Sequence, residues 1–299
     1  MPHHLAFSRI HIIEWLWKID PDTGQPDRRT GKELYAHIKD MIAEAKPPVD
    51  VMLHRVGSSK ALLARIERIH QDYLTTRRVP IIQIDTHGDA EGIGLGEDGL
   101  IWKQLLKAFT PLNQSTGLKL SVFLSACKGM WGIEMAQAMD RAPFFALMGP
   151  KRDVYPGEVV RGLRVFYRTI LVERDSLRAM DRMNSVVSQD EEVFRIYNCE
   201  QLFRNIWEWY LEGKTVEEIM ARVFEQKLAE RQAKRPMTDA EVTELRDYVS
   251  KYVRDYRPRF EESRQHFFMV DLYPQNDARF NLVLEPLAEG SETLRIADS

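Results

Sequence analysis

Val79-Pro-Ile-Ile-Gln-Ile-Asp-Thr-His-Gly88 and Leu118-Lys-Leu-Ser-Val-Phe-Leu-Ser-Ala-Cys-Lys-Gly129 are two apolar runs, and each ends on a reactive side chain. The first delivers His87 and the second Cys127. Between them lie an acidic, glycine-rich loop and one short helix, Trp102 to Phe109. A strand, a crossover of this length and a second strand form a βαβ unit with parallel neighbouring strands. Parallel neighbours bring their carboxyl ends to the same edge, where open α/β sheets bind their ligands. His87 and Cys127 are therefore expected to face each other across one crevice.

The rest of the chain repeats the alternation. Ile10–Trp17, Val49–Val56, Pro143–Met148 and Val193–Tyr197 have strand character, rich in β-branched and aromatic residues. Helical spacing of apolar residues follows Thr30-Gly-Lys-Glu33, a capping-box pattern. It recurs after Ser58 or Ser59, over Ile133–Met139, over Pro156–Val172, and from Asp175 or Ser176. The order predicts an α/β fold with a mainly parallel sheet and helices on both faces. From about Glu200 the texture becomes helical, with capping boxes at Thr215–Glu218 and Thr238–Glu241; Phe267–Leu272 is a late strand candidate. The expected division is 1–200 for the sheet domain and 201–299 for a helical C-terminal extension.

The chain has 299 residues, a hydrophobic share of 44% and a net charge of -3, ordinary values for a soluble protein. That balance gives no basis for binding nucleic acid as a whole. No apolar run reaches the ~18 residues of a membrane span, and Met1–Phe7 lacks the regions of a signal peptide. Two cysteines, Cys127 and Cys199, make no disulfide framework, so a cytoplasmic protein is expected. Cys199 reads as inert core.

An imidazole beside a thiol supplies both a nucleophile and the base that activates it. Cys127 sits where a strand hands over to a helix, whose amides favour a thiolate and an oxyanion. Gly88 lets backbone N–H approach a substrate carbonyl without a Cβ in the way. Asp85 shares a strand face with His87 by period-two alternation, which makes it either an orienting partner or a solvated strand-end acid.

The His-Gly at one strand end and Leu-Ser-Ala-Cys-Lys-Gly at the next resemble the caspase-like peptidase superfamily. Within it they are most similar to the CHAT branch, the caspase- and HetF-like proteins related to separase. The resemblance is good over roughly residues 79–180, covers 1–78 only in order of elements, and does not extend to 200–299. It implies a cysteine endopeptidase acting on a protein or peptide, with Cys127 as nucleophile, His87 as general base or acid, and the N–H groups of Gly88 and Cys127 as oxyanion hole. Ser125 and Asp85 are the further substrate-side candidates. Ser125 stands where caspases carry Gln and where Arg-cleaving relatives carry an acid, so neither specificity is implied. Lys128-Gly129-Met130 replaces the usual ending, which leaves a catalytically inactive scaffold that binds partner proteins as the alternative. Control by a regulatory partner is also implied.

Other chemistries fit less well. Gly92-Ile-Gly-Leu-Gly96 lies too late in its loop, among acids, for a dinucleotide fingerprint. Asp85-x-His87-x-Asp89 lacks the downstream histidines of a metallophosphoesterase. His3, His4 and His11 have no carboxylate or cysteine at ligand spacing, so no metal and no cofactor is expected. Trp102 and Trp131 are expected in the core, with a crevice wall as the other reading. The acids Asp89, Glu91, Glu97 and Asp98 read as a solvated loop, or else as an attractor for a basic substrate.

Overall fold

Strand β1 (Arg9–Trp15) is followed by helix α1 (Thr30–Met41), β2 (Asp50–Arg55), α2 (Ser59–Thr76) and β3 (Pro80–Thr86). Next come β4 (Gly92–Leu95), β5 (Asp98–Ile101), α3 (Trp102–Ser115), β6 (Ser121–Ser125) and β7 (Ala146–Pro150). Then α4 (Pro156–Glu173), α5 (Ser176–Val187), β8 (Phe194–Asn198) and α6 (Cys199–Leu211) follow. The chain continues through α7 (Val216–Gln232), α8 (Asp239–Arg254), α9 (Tyr256–Phe267), α10 (Gln275–Arg279), β9 (Leu282–Leu284) and β10 (Ile296–Asp298). This computed structural model describes residues 5–20, 24–45, 47–130, 141–211, 216–233, 235–254, 256–284 and 296–298. The helix expected over Ile133–Met139, Trp131, His3, His4 and the Thr215 cap lie outside those residues.

Six strands form one sheet in the order β2-β1-β3-β6-β7-β8. All neighbours are parallel except β8, which runs antiparallel to β7. The fold class is thus α/β with a mainly parallel sheet. Both faces are covered. On one, Gly31 of α1 lies against Ile12, Glu14 and Asp85, and Tyr167 of α4 reaches Gln83. On the other, Arg9 pairs with Asp72 of α2. Every residue of β3 is buried, as a strand between two helical layers must be.

Several local expectations are replaced by tertiary contacts. Thr30 does not cap α1: its hydroxyl donates to Asp85 at 3.2 Å, and Glu33 pairs with Arg28 instead. The glycine-rich loop is a hairpin, β4 against β5. A Cβ at Gly92 would lie 2.1 Å from the Leu100 carbonyl oxygen, so only glycine allows the two strands to come this close. Asp98 is not a solvated acid; it accepts the Ser59 N–H at the start of α2. Phe267–Leu272 is no strand: α9 ends there and a turn follows, with Met269 at φ 57°.

The chain divides into two compact units, the first running to Leu202 and the second starting at Phe203. The second has a core of its own, in which the rings of Phe203, Trp207, Phe260, Phe267 and Phe268 lie against one another. Its α8 starts with the expected box, Glu241 accepting the Thr238 N–H and Thr238 accepting the Glu241 N–H. No helix among the described residues is long and apolar enough to cross a membrane.

At the β1–β2 end of the sheet, His11 Nδ1 lies 3.0 Å from His54 Nε2, with the rings stacked. Burial, helped by His54 and Arg9, pushes His11 down to about 3. Burial and Arg65 push His54 down to about 4. Both rings stay neutral in the fold and take up protons only on unfolding below their ordinary value of 6.5. Stability is therefore lost as pH falls from about 6.5 to about 4. Urea unfolding should show the protein losing about 1–3 kcal/mol more than a His11→Gln/His54→Gln variant between about pH 7 and pH 5. Equal losses would contradict the assignment.

Candidate active site

The carboxyl ends of β3 and β6 set the site. Their register pairs Ile81 with Ser121 and Asp85 with Ser125, a constant offset of 40 positions. His87 and Cys127 each follow that last pair by two residues, just beyond the ends of the two strands. The two chain segments stay in contact there. A Cβ at Gly88 would lie 2.9 Å from the Ala126 Cβ and 3.0 Å from the Cys127 carbonyl oxygen. Alanine at this position would push against backbone, so the approach of the two turns requires glycine.

Beneath the two reactive residues lies a buried polar chain on the face covered by α1 and α4. Tyr167 donates its hydroxyl to Gln83 Oε1 at 3.1 Å. The Gln83 amide donates to Ser125 Oγ at 2.6 Å and to Asp85 Oδ1 at 3.2 Å. Thr30 and Ser125 also donate to Asp85. Asp85 is 1% exposed and bonded to Thr30 and Gln83, whereas the carboxylate at hydrogen-bond distance from His87 is that of Asp27. Burial pushes its carboxyl up to about 6, against three favourable side-chain bonds and with a contribution from Glu14. Glu14 stands opposite Asp85 in the register of β1 and β3 and is held by the Lys32 N–H at 3.1 Å.

His87 is half exposed, and its Nε2 lies 2.9 Å from Asp27 Oδ2. The same oxygen accepts the Trp17 N–H at 2.7 Å. Asp27 belongs to the connection between β1 and α1, which returns to this edge because β1 is parallel to β3. It lies 60 positions from His87, in a stretch without periodicity. The usable signal was its place just ahead of a helix at the carboxyl edge of a neighbouring strand. Cys127 is half-buried, with its thiol 3.9 Å from the Val154 carbonyl oxygen in the β7–α4 connection. The next residue, Lys128, holds φ 55°, and its N–H donates to the Arg152 carbonyl at 3.2 Å. A left-handed backbone of this kind costs a non-glycine residue roughly 1 kcal/mol and turns the chain sharply just after the thiol.

The loop hydrogen bonds leave two backbone donors out. Gly88 and Ile93 are bridged by Gly94 N to His87 O at 3.1 Å and by Asp89 N to Gly92 O at 3.0 Å. After Cys127 the turn uses Lys128 N and Gly129 N. Neither pattern draws on the N–H of Gly88 or Cys127. The remaining candidates have structural places. Asp89 accepts the N–H groups of Glu91 and Gly92 and so shapes the hairpin entry. Trp102 is 2% exposed and donates to the Ala90 carbonyl. Cys199 is fully buried.

No family model matches the chain, and no curated protein matches it. Among solved structures the chain is similar to caspase-1 from Spodoptera frugiperda. The two share 14% identity and a TM-score of 0.46, over 65% of this chain and 87% of that one.

Two measurements test this geometry. Gly88→Ala should lower stability by about 1–3 kcal/mol, the usual cost of forcing a methyl into closed space; an unchanged denaturation midpoint would refute the close approach. Asp85 binds its proton more tightly folded than unfolded, so its contribution to stability falls as pH rises from about 4 to about 6. Relative to the native chain, Asp85→Asn should gain about 1–3 kcal/mol across that interval; parallel pH curves would show that Asp85 is not the titrating group.

Proposed function

We propose that this protein is a cysteine endopeptidase that cleaves a protein or peptide through an acyl-enzyme on Cys127, with His87 as general base and acid. The single observation behind this reading is the close approach of the two turns that carry His87 and Cys127, where a Cβ at Gly88 would lie 3.0 Å from the Cys127 carbonyl oxygen. The His-Gly and Leu-Ser-Ala-Cys motifs, which resemble those of caspase-like peptidases, point the same way. The chemistry follows from the groups present. The Cys127 thiolate adds to the scissile carbonyl carbon, and the π pair moves onto oxygen, toward the N–H groups of Gly88 and Cys127. The imidazolium of His87 gives its proton to the leaving nitrogen as the C–N bond breaks, leaving a thioester. Water then adds to the thioester, His87 takes the water's proton, and Sγ departs as thiolate with release of the new carboxylate.

Control by a partner protein or an activating signal belongs to the same proposal as an implication of the motif resemblance, and a cytoplasmic setting follows from the two cysteines that form no disulfide framework. Cys127→Ala and His87→Ala should each lower proteolysis of an unfolded protein substrate by at least about 10³-fold, with unchanged thermal unfolding. A thiol-directed peptide probe should label Cys127 and leave Cys199 unmodified in the folded protein. Cleavage at the native rate by either variant would refute the assignment.

A further inference from the structure

We infer that Asp27 is a third member of this site, a positioning residue that orients His87 and stabilises its imidazolium. The inference rests on the peptidase reading of Cys127 and His87 and extends it to a residue in another part of the chain. A carboxylate only accepts hydrogen bonds, so the 2.9 Å contact puts the ring proton of His87 on Nε2. That leaves Nδ1 as the nitrogen able to exchange a proton with the Cys127 thiol or the leaving group. The tautomer needed for a base is thus fixed by its partner.

Asp27 is suited to this role because it is itself held. Its side chain is 13% exposed against 48% for His87, and Oδ2 also receives the Trp17 backbone N–H at 2.7 Å. The Trp17 ring in turn lies against the hairpin tip, within 3.5 Å of where a Cβ at Gly96 would sit. Orientation thus passes from a backbone amide to a carboxylate to the imidazole, which reaches further into solvent. The neighbouring charges are engaged elsewhere. Arg28 pairs with Glu33, Arg29 reaches Glu14, and Arg164 approaches Glu33. In the β7–α4 connection Arg152 pairs with Glu158 and Glu191. Asp89 is bonded to the backbone of its own loop, and Asp85 is sealed beneath the site. Among the described residues, Asp27 is the carboxylate that touches His87.

A carboxylate at hydrogen-bond distance favours the charged form of an imidazole, and with it an ion pair of imidazolium and thiolate. Two substitutions separate orientation from charge. Asp27→Asn keeps an oxygen that can accept from both Trp17 N–H and His87 Nε2–H but removes the charge. Asp27→Ala removes both. A purely structural loop anchor would be replaced by asparagine without loss, because the Trp17 bond survives.

The test measures alkylation of Cys127 by iodoacetamide in the full chain, read by mass spectrometry on the Cys127 peptide, beside kcat and KM on an unfolded protein substrate. In Asp27→Ala, alkylation at about pH 6 should slow by about tenfold and converge on the native rate near pH 9. Asp27→Asn should fall between. Proteolysis should lose about 10²-fold in kcat for Asp27→Ala with KM nearly unchanged, the scale expected for a misplaced catalytic group. Native behaviour of Asp27→Asn in both assays, or slowing by the same factor at every pH, would overturn the inference. If Cys127→Ala and His87→Ala abolish cleavage while both Asp27 variants retain it, the inference fails and the peptidase reading stands. If the native chain cleaves nothing, the peptidase reading fails, and the alkylation profile still decides whether Asp27 acts on the pair.

Discussion

The parallel pairing of β3 with β6 is the constraint on which the site depends. Side chains alternate along a strand, so a slip of one position would turn every residue to the opposite face. The pairing that buries Gln83 and Asp85 and half-buries Ser125 beneath α1 and α4 also fixes where the two strands end, two residues before His87 and Cys127. The polar chain from Tyr167 to Thr30 has matched donors and acceptors only in this register. An alternative register would leave buried polar groups without partners, each costing roughly 1–3 kcal/mol. Specificity of strand pairing and placement of the reactive groups are two results of one arrangement.

Most of the sheet was legible because buried parallel strands announce themselves as apolar runs divided by helical periods. The runs ending at His87 and Cys127 are the clearest of these, and their adjacency followed from crossover geometry. The misreadings share a cause: a tertiary contact outweighed a local preference. Phe267-Phe-Met-Val270 has strand composition, but a short apolar run fits a buried helix end equally well. Thr30 has the spacing of a cap, yet the buried carboxylate of Asp85 takes its hydroxyl instead. Gly92 and Gly94 read as part of a glycine-rich loop, whereas they allow two short strands to touch.

The site was half legible. Its two candidate reactive residues, His87 and Cys127, follow the ends of strands and carry sequence signals. Asp27 lies in an irregular connection, where no periodicity marks a position, and its approach to His87 depends on how the chain re-enters α1. Asp85 shows the converse. Alternation placed it on the correct face, but whether an acid at a strand end meets solvent depends on the helices laid over it. Here α1 covers it so closely that a Cβ on Gly31 would come within 2.8 Å of its carboxylate.

The β4–β5 hairpin has a bearing on how this chain tolerates changes of length. It leaves the sheet after β3 and returns through α3 before β6, so its length enters no pairing of the six-stranded sheet. Residues can be gained or lost at its outer end while the sulfur and the imidazole keep their places. The same change inside β3 or β6 would turn one of the two reactive groups to the wrong side. Length variants of this architecture should consequently accumulate around Gly96 and Glu97, limited on that side by the indole of Trp17, which rests on the tip.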